Sequence, residues 1–259
     1  MLILLPPSEG KSEPKRGKPL DLEALSSPGL TAARAEVLDA LVTLCRDDAD
    51  KAAAVLGLSA GQRDLVARNA DLTDAPTARA DRIYTGVLYD ALDVETLSAA
   101  AKRRATSRVA VASSLFGMVR LGDRIPSYRL SGDVSLPALG PVAGVWREAL
   151  PEVMAAAIGK GLFVDLRSGM YASFWRPGPE LAARTATVRV LHEHNGTRKV
   201  VSHFNKATKG RIVRALLEDG ADPRTPAALA GVLERLGWTV EVGAAGKNGT
   251  QLDVVVSEL

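Results

Sequence analysis

The sequence predicts an α/β fold, a single compact domain of 259 residues in which mixed β-sheet is surrounded by helices. Two short apolar runs, Met1–Leu5 and Leu162–Leu166, are typical of buried strands. An apolar stripe at helical spacing begins at Leu38. Further on, β-rich segments flank Asn195-Gly196, a dipeptide that favours a type I′ hairpin turn.

In the first two thirds of the chain, the predicted elements follow the apolar pattern in order. Residues 11–30, after the opening strand, are rich in Lys, Pro, Ser and Gly and predict a loop. Residues 31–72 carry helical periodicity, residues 108–115 alternate as a strand does, and residues 142–158 are again helical. The second short buried strand follows that helix.

The last third of the chain predicts a hairpin, two helices and a second β pair. The two hairpin strands lie between residues 188 and 204, on either side of the Asn-Gly dipeptide. A helix is expected over residues 206–218, with Asn205 as its N-cap, and another helix after Thr225. A final β pair surrounds residues 243–249.

Composition indicates a globular protein of the cytoplasm. The chain is 46% hydrophobic and 24% charged, and it is long enough to bury a core without disulfides or metals. A single cysteine, Cys45, excludes an internal disulfide and suits a reducing compartment. The opening apolar run is too short for a signal peptide, and no stretch approaches the about 18 apolar residues of a membrane span. We expect no membrane partner and no cofactor.

Charge is distributed unevenly along the chain. Residues 34–95 hold twelve acids and seven bases. Residues 102–129 hold seven bases and one acid, and residues 198–214 hold six bases and no acid. Each basic block alone is compatible with an ordinary solvated surface. Two such blocks in one chain favour a shared basic cleft that attracts polyanions.

The loop after the first strand contains Gly10-Lys11-Ser12, the ending of a phosphate-binding loop. The full pattern requires a glycine where this chain has Leu5, and a proline pair removes two backbone N–H groups that would cradle phosphate. The following residues do not favour the start of a helix. We therefore expect no nucleotide P-loop, although Ser8 and Lys11 can still border a cleft.

A second candidate anion site lies in the basic run before the C-terminal helices. At 100° per residue, Lys206 and Lys209 fall on the apolar side of their helix, whereas Arg211 and Arg214 fall on the solvent side. Two inward ammonium groups near a helix N-terminus would attract an anion. The alternative is that both lysines extend past the edge of the core to water.

Two other groups of polar residues leave alternatives open. Ser168 and Tyr171 follow a buried strand, where they either face a ligand or cap the next segment. His192 and His194 share a strand face and His203 lies on the partner strand, so a three-histidine metal site is conceivable. The first two histidines flank a turn and are expected to be solvated. We predict no metal site.

Several short motifs occur in the order found in one bacterial protein family. Beside the opening strand with Pro7-Ser8, the matching residues are Tyr84, Thr85 and Gly86; Ser114, Phe116 and Gly117; Pro126, Tyr128, Arg129 and Leu130; Trp146; Ser168 and Tyr171; and Phe204, Lys206, Lys209 and Gly210. Each motif is short, but together they extend along the whole chain. The chain resembles the YaaA family, bacterial peroxide stress proteins also grouped as UPF0246.

The resemblance implies a cytoplasmic protein that helps bacteria survive hydrogen peroxide by limiting damage from unincorporated iron. It also implies DNA binding through a basic cleft and a helix-hairpin-helix element. The counterpart of that element here is the helix from Lys206, the turn at residues 219–224 and the helix after Thr225, although this turn carries two aspartates. Gly169 and Met170 replace acidic residues of some relatives, which argues against carboxylate catalysis there.

Two functions therefore remain open. In the first, the protein binds double-stranded DNA without sequence preference through a basic cleft. In the second, an enzyme or binding protein holds a nucleotide or another small phosphorylated ligand, with a buried Lys206 as base or nucleophile. The candidate DNA- or anion-binding residues are Ser8, Lys11, Tyr128, Arg129, Ser168, Tyr171, Lys206, Lys209 and Arg211. A long open groove would support the first function and a closed pocket the second. The extent of the basic blocks favours DNA.

Overall fold

A computed structural model describes residues 1–194 and 197–257, and for residues 202 and 203 it describes only the backbone. The strands are β1 (Leu2–Leu5), β2 (Ala78–Arg79), β3 (Val109–Ser113), β4 (Gly117–Arg120), β5 (Arg124–Ile125), β6 (Ser135–Leu136), β7 (Gly140–Pro141), β8 (Phe163–Asp165), β9 (Thr185–His194), β10 (Thr197–Lys199), β11 (Thr239–Gly246) and β12 (Gly249–Val256). The helices are α1 (Thr31–Asp47), α2 (Ala49–Val55), α3 (Asp64–Ala70), α4 (Ala80–Ile83), α5 (Val87–Leu92), α6 (Ala99–Arg108), α7 (Val142–Ile158), α8 (Gly169–Ala172), α9 (Pro179–Ala182), α10 (Ser202–Asp219) and α11 (Pro226–Arg235).

Most of the strands form one large mixed sheet, flanked by helices. Its order is β11-β12-β9-β8-β1-β3-β4, and β10 pairs with β9. The strands from β12 to β3 run parallel, whereas β11, β4 and β10 are antiparallel to their neighbours. Leu2 lies opposite Phe163 and Ile3 opposite Val109. The carboxyl ends of β1, β3 and β8 therefore meet at one edge of the sheet.

The apolar pattern explains the central elements, and the α/β prediction is confirmed. All residues of β1, β3 and β8 are buried, as continuous apolar runs in a parallel sheet require. The helical region predicted over residues 31–72 contains α1, α2 and α3, with Cys45 buried in α1. Helix α7 has the predicted bounds. No helix in the described part of the chain is long and apolar enough to cross a membrane.

The start of α10 differs from the sequence prediction. The helix begins at Ser202, and the backbone N–H of Asn205 already donates to Val201 O at 2.8 Å. Val201 therefore holds the N-cap position, and the assignment of Asn205 as N-cap is wrong. The earlier start brings the Phe204 ring to a centroid distance of 5.2 Å from the His192 ring on β9. This contact between distant segments favours the helical conformation, which local propensity does not reveal.

The predicted hairpin is confirmed in its strands but is shorter than expected. Strand β10 pairs antiparallel with β9 and ends at Lys199, so His203 belongs to α10 and not to the partner strand. The turn residues Asn195 and Gly196 lie outside the described residues. His192 is buried rather than solvated, because it packs under the first turn of α10, whereas His194 is exposed as expected.

Helix α10 packs closely against α5, and a glycine allows this approach. A Cβ at Gly210 would lie only 2.2 Å from Leu88 O, so only glycine fits at this position. Arg214 donates to Leu92 O at 3.1 Å and to Asp93 O at 2.8 Å, at the C-terminal end of α5. The prediction that Arg214 faces solvent is therefore wrong, because its guanidinium binds the last carbonyls of the neighbouring helix.

Arginines of the basic block at residues 102–129 also bind backbone carbonyls. Arg104 Nε donates to Leu217 O (2.6 Å), Arg108 Nη1 to Ala221 O (2.8 Å), Arg120 Nη1 to Ser107 O (3.0 Å) and Arg124 Nη2 to Thr77 O (2.7 Å). The first two lie at the C-terminal end of α10, where cationic groups are favourable. Much of this block therefore holds elements of the fold together.

Candidate functional site

A cavity of about 480 Å³ lies at the carboxyl ends of β1 and β8. Residues 6–10, which follow β1, form one wall, and residues 166–171, which follow β8, form another. Residues 85–89 and 205–209 complete the cavity from α5 and α10. Ligands in open parallel sheets commonly bind at this end of the strands, and the volume is within the range of small-molecule sites.

The structure brings most of the predicted binding residues together. Five of them line the cavity: Ser8, Ser168, Tyr171, Lys206 and Lys209. Three others contact the 6–10 wall or its neighbouring residues: Lys11, Tyr128 and Arg129. The ninth, Arg211, is exposed on α10 and is not part of the cavity wall.

The two cavity lysines have different surroundings. Lys206 is exposed, so the prediction of a buried Lys206 is wrong. Lys209 is partly buried and donates from Nζ to Leu166 O at 3.0 Å. Burial lowers the pKa of Lys209 to about 8, and the nearby charge of Asp165 opposes this shift. Because α10 begins at residue 202, Lys206 lies in its second turn and Lys209 further along, so neither lysine caps the helix.

Hydrogen bonds among residues 8–11 and Thr85 hold the wall at residues 6–10 in place. Ser8 Oγ donates to Gly10 O at 2.6 Å and accepts from the Thr85 backbone N–H at 3.1 Å. Thr85 Oγ1 also donates to Gly10 O, and Lys11 Nζ donates to Ser8 O at 2.8 Å. Lys11 thus supports its own loop, and residues 12–27 contain no helix. The expectation that this stretch is not a P-loop is confirmed.

A layer of tyrosines lies beside Lys11. The Nζ of Lys11 lies 4.2 Å from the centre of the Tyr128 ring, and burial lowers the pKa of Lys11 to about 7 against the opposing charge of Glu9. Tyr128 OH lies 3.0 Å from Tyr84 OH and 2.8 Å from Ser113 Oγ. Burial raises the pKa of both tyrosines, so their hydroxyls remain protonated at neutral pH.

Glu9 is a cavity residue that the sequence reasoning missed. It forms an ion pair with Arg129, so the guanidinium of Arg129 is directed to the cavity wall and neutralises its carboxylate. Glu9 lies beside the matched Pro7-Ser8, and this position next to a motif was the one available signal. The apolar residues of α5 were also missed, because α5 meets the cavity only after folding. Asn205 and Thr85 also line the cavity, although the sequence named them only as an N-cap and as a motif residue.

The strand β8 is followed by a buried ion pair and then by Ser168. Asp165 accepts from Arg167 Nε at 2.9 Å and from Arg167 Nη2 at 2.8 Å. Ser168 occupies the N-cap position of α8 without a side-chain cap bond, so the capping alternative for its hydroxyl is not observed. Tyr171 is buried and packs against Phe174, with ring centroids 5.2 Å apart.

Most motif residues outside the cavity wall are buried in the fold. Among the side chains that the structure describes, which leave out His203, no group of three or more His, Cys, Asp or Glu could hold a metal ion. Trp146 is buried and donates from Nε1 to Ser114 O at 2.7 Å. Gly117 has a φ of +70°, and a Cβ there would lie 2.6 Å from the Trp146 ring. These motif residues support the fold beneath the cavity.

Comparison with known proteins identifies the family. A family model described as "Peroxide stress protein YaaA" matches residues 1–242. The chain belongs to this family. A UPF0246 protein of Streptomyces coelicolor is 57% identical over 261 residues, covering 100% of both chains. A UPF0246 protein of Corynebacterium efficiens is 41% identical, covering 98% of this chain and 100% of its own.

The family resemblance seen in the motifs is therefore confirmed. A UPF0246 protein of Corynebacterium glutamicum is 39% identical over 245 residues, or 93% of this chain and 95% of its own. Membership of the YaaA family supports a role in peroxide stress. The proposed DNA partner, the link to iron, the cytoplasmic location and the helix-hairpin-helix assignment stay predictions.

Proposed function

We propose that the protein binds a small phosphorylated ligand in the cavity, and that this binding serves its role in peroxide stress. The observation that carries the proposal is the convergence of two lysines from α10 and the free hydroxyl of Ser168 on one cavity. The carboxylate of Glu9 also lines it, but its charge is paired with Arg129. The cavity therefore presents uncompensated positive charge, which favours an anion.

The experiment compares phosphate ligands with two matched double variants. Glycerol 3-phosphate and inorganic phosphate are titrated into the wild-type protein by calorimetry. We expect saturable binding that Lys206→Ala/Lys209→Ala weakens about a hundredfold or more, because removing each of the two charge-assisted bonds costs about 1.5–3 kcal/mol. The control, Lys199→Ala/Arg211→Ala, removes two exposed bases outside the cavity wall and should bind normally. Absent binding, or equal affinity in both variants, contradicts the proposal.

A second candidate function is non-specific DNA binding. Its support is a group of exposed bases on α6, β10 and α10: Lys102, Arg103, Lys199, Lys206 and Arg211. Helix α10 contacts β9 at its first turn and α6 at its C-terminal end, so these bases are spread along the length of α10. Such bases contact phosphates without reading sequence.

The salt dependence of binding tests the DNA function. Fluorescent duplex DNA is titrated with the wild type and with Lys199→Ala/Arg211→Ala at several salt concentrations. If these bases contact DNA, affinity falls and the log–log salt slope decreases by about 0.9 for each DNA phosphate that the variant no longer neutralises. An unchanged slope excludes these bases, and no binding at low salt excludes the function. Competition by glycerol 3-phosphate would show that DNA enters the cavity region.

The role in peroxide stress is tested in cells. A bacterial strain lacking its own family member is complemented with the wild type or with Lys206→Ala/Lys209→Ala and challenged with hydrogen peroxide. We expect survival with the wild type and loss of survival with the variant at equal protein level. If the protein limits iron-linked damage, a cell-permeant iron chelator restores survival of the variant. If the variant restores full survival, the two cavity lysines are not required for the role in peroxide stress.

A further inference from the structure

Lys209 lies on the wall of the cavity, and its amine has no ionic partner among the residues that the structure describes. Its Nζ donates to the backbone carbonyl of Leu166. The acidic group whose charge acts on Lys209 is Asp165, and both of its carboxylate oxygens accept hydrogen bonds from Arg167 in a buried pair. In the described part of the chain, no carboxylate oxygen forms a salt bridge with Lys209. Removing an ammonium group from water is unfavourable unless it is paired and hydrogen-bonded, so this arrangement needs an explanation.

Anion binding alone does not account for the position of Lys209. The wall of the cavity includes the apolar residues Pro7, Leu88 and Leu166, and Lys209 contacts the last of these through its carbonyl. Desolvation disfavours the ammonium form, which an anion requires, and favours the neutral amine, which is a nucleophile. Lys206, one turn earlier on the same face, is exposed and suited to hold the anion. The two lysines therefore have surroundings suited to different tasks.

We propose that Lys209 forms an imine with a phosphorylated aldehyde bound in the cavity. This inference rests on the proposed function and specifies its substrate class. The lone pair of the neutral amine attacks the carbonyl carbon, and the carbonyl oxygen takes up a proton to form a carbinolamine. Loss of water, which removes that oxygen and both amine hydrogens, leaves a C=N bond. No oxidant or reductant is required, and water regenerates the amine.

Lys11 provides an internal comparison for this reaction. Its amine is also desolvated, with a pKa lowered to about 7, but it lies against the Tyr128 ring and is absent from the cavity wall. A probe that responds only to amine basicity would modify both lysines. A probe that must first bind in the cavity modifies Lys209 alone. The site of modification thus separates reactivity from binding.

The experiment traps the imine on the full chain. The protein is incubated at pH 7.5 with glyceraldehyde 3-phosphate and cyanoborohydride, which reduces an imine to a stable secondary amine, and modified peptides are identified by mass spectrometry. We expect labelling at Lys209 about tenfold faster than at Lys11, and about tenfold faster than with glyceraldehyde, which lacks the phosphate. Glycerol 3-phosphate should protect Lys209. Equal labelling of lysines across the surface overturns the inference.

A second variant separates this inference from the proposed function. Lys209→Arg retains a positive charge and a donor for Leu166 O but cannot form an imine. We expect it to bind glycerol 3-phosphate, which has no carbonyl, while losing the label. If wild type binds glycerol 3-phosphate but is not labelled at Lys209, the imine is excluded and phosphate binding stands. If wild type binds no phosphate ligand, the proposed function fails. Wild-type peptide mapping decides the inference even if the variant does not fold.

Discussion

Lys11 and Lys209 are similar lysines in different environments. Each donates from Nζ to a backbone carbonyl, Ser8 O for one and Leu166 O for the other, and burial lowers the pKa of both. Lys11 lies over a tyrosine ring beside the Glu9–Arg129 pair. Lys209 lies on the cavity wall, and no carboxylate in the described part of the chain pairs with it. The two amines therefore differ in their surroundings: that of Lys11 packs against the Tyr128 ring, and that of Lys209 lies on the wall of the cavity.

This comparison shows that a perturbed lysine is not by itself a functional one. Lys11 supports the loop that forms the cavity wall, and its desolvation follows from packing against Tyr128. Lys209 experiences a similar desolvation where a ligand can reach it. Burial sets the protonation equilibrium of both, whereas access to the cavity distinguishes their roles.

Closing the helix approach at Gly210 should have the largest effect. In Gly210→Ala the new Cβ would lie 2.2 Å from Leu88 O, so α10 must move away from α5. We expect the free energy of unfolding to fall by about 3 kcal/mol, and Lys209 labelling to fall because its Nζ leaves the cavity wall. Gly231→Ala in α11 is the control, since its Cβ meets nothing within 4 Å. Urea unfolding should show a gain of up to about 1 kcal/mol there. Equal losses in both variants would contradict the packing argument.

Replacing Lys11 should change how stability depends on pH. The pKa of Lys11 is lowered to about 7 in the folded protein, whereas the unfolded chain holds the proton up to about 10.5. The unfolded state binds more protons in this range, so wild-type stability should rise from pH 7 upward, by at most about 1.4 kcal/mol per pH unit for this group.

Lys11→Met should flatten that rise, and Lys209→Met is its counterpart. Because the pKa of Lys209 is lowered only to about 8, its contribution to the rise begins about one pH unit higher. Urea unfolding at pH 6, 7, 8 and 9 measures both slopes. We expect the Lys11 variant to lose the rise between pH 7 and 8, and the Lys209 variant to retain most of it. Identical slopes for the two variants would show that the two environments do not differ as described.

Arg211 and Arg214 of α10 both lie outside the cavity wall, and they should differ in how much each contributes to the free energy of unfolding. Arg214 binds Leu92 O and Asp93 O, whereas Arg211 is exposed. Arg214→Ala should lower the free energy of unfolding by about 1–2 kcal/mol, because Leu92 O loses its side-chain donor, whereas Asp93 O still accepts from Thr96. Arg211→Ala should change it by less than about 0.5 kcal/mol. Thermal unfolding of the two variants measures the difference, and a larger loss for Arg211 would reverse the assignment.

Cys45 is a buried thiol outside the cavity wall, and replacing it should have the smallest effect on the function of the protein. Cys45 lies on α1, its thiol is buried in the hydrophobic core, and this burial raises the pKa of the thiol. We expect the folded protein to release no thiolate from a disulfide reagent in the time that fully labels the urea-unfolded chain. We also expect Cys45→Ala to complement the peroxide-sensitive strain as wild type does. Rapid reaction in the folded state would make Cys45 a candidate peroxide sensor.

The central fold was predictable because its signals are local or nearly so. The continuous apolar runs of β1 and β8 are typical of strands buried in a parallel sheet, and α7 follows directly from its spacing. The start of α10 was not predictable, because its first turn packs Phe204 against His192 of strand β9. Strand β10 is short for the same reason, because residues 202–204, which the sequence assigned to the hairpin strand, belong to α10.

The candidate site was predicted in part. The residue types that line it follow from the motifs, and Ser8, Ser168, Tyr171, Lys206 and Lys209 do meet in one cavity. The sequence prediction assigned the buried, reactive role to Lys206, whereas Lys209 is the more buried of the two. Helical spacing places both lysines on the same face of α10, but it cannot show which of the two side chains is buried by neighbouring elements.

The sequence alone determined the buried apolar strands, the helical stripes, the turn-rich loop after β1 and membership of the family. These features depend on neighbouring residues, whose periodicity and chemistry are visible in one dimension. Only the tertiary structure decided that Lys209 and not Lys206 is desolvated, that Arg129 is paired with Glu9 and that Arg104 and Arg108 hold the end of α10. The physical reason is that desolvation and ion pairing depend on distances between segments far apart in the chain.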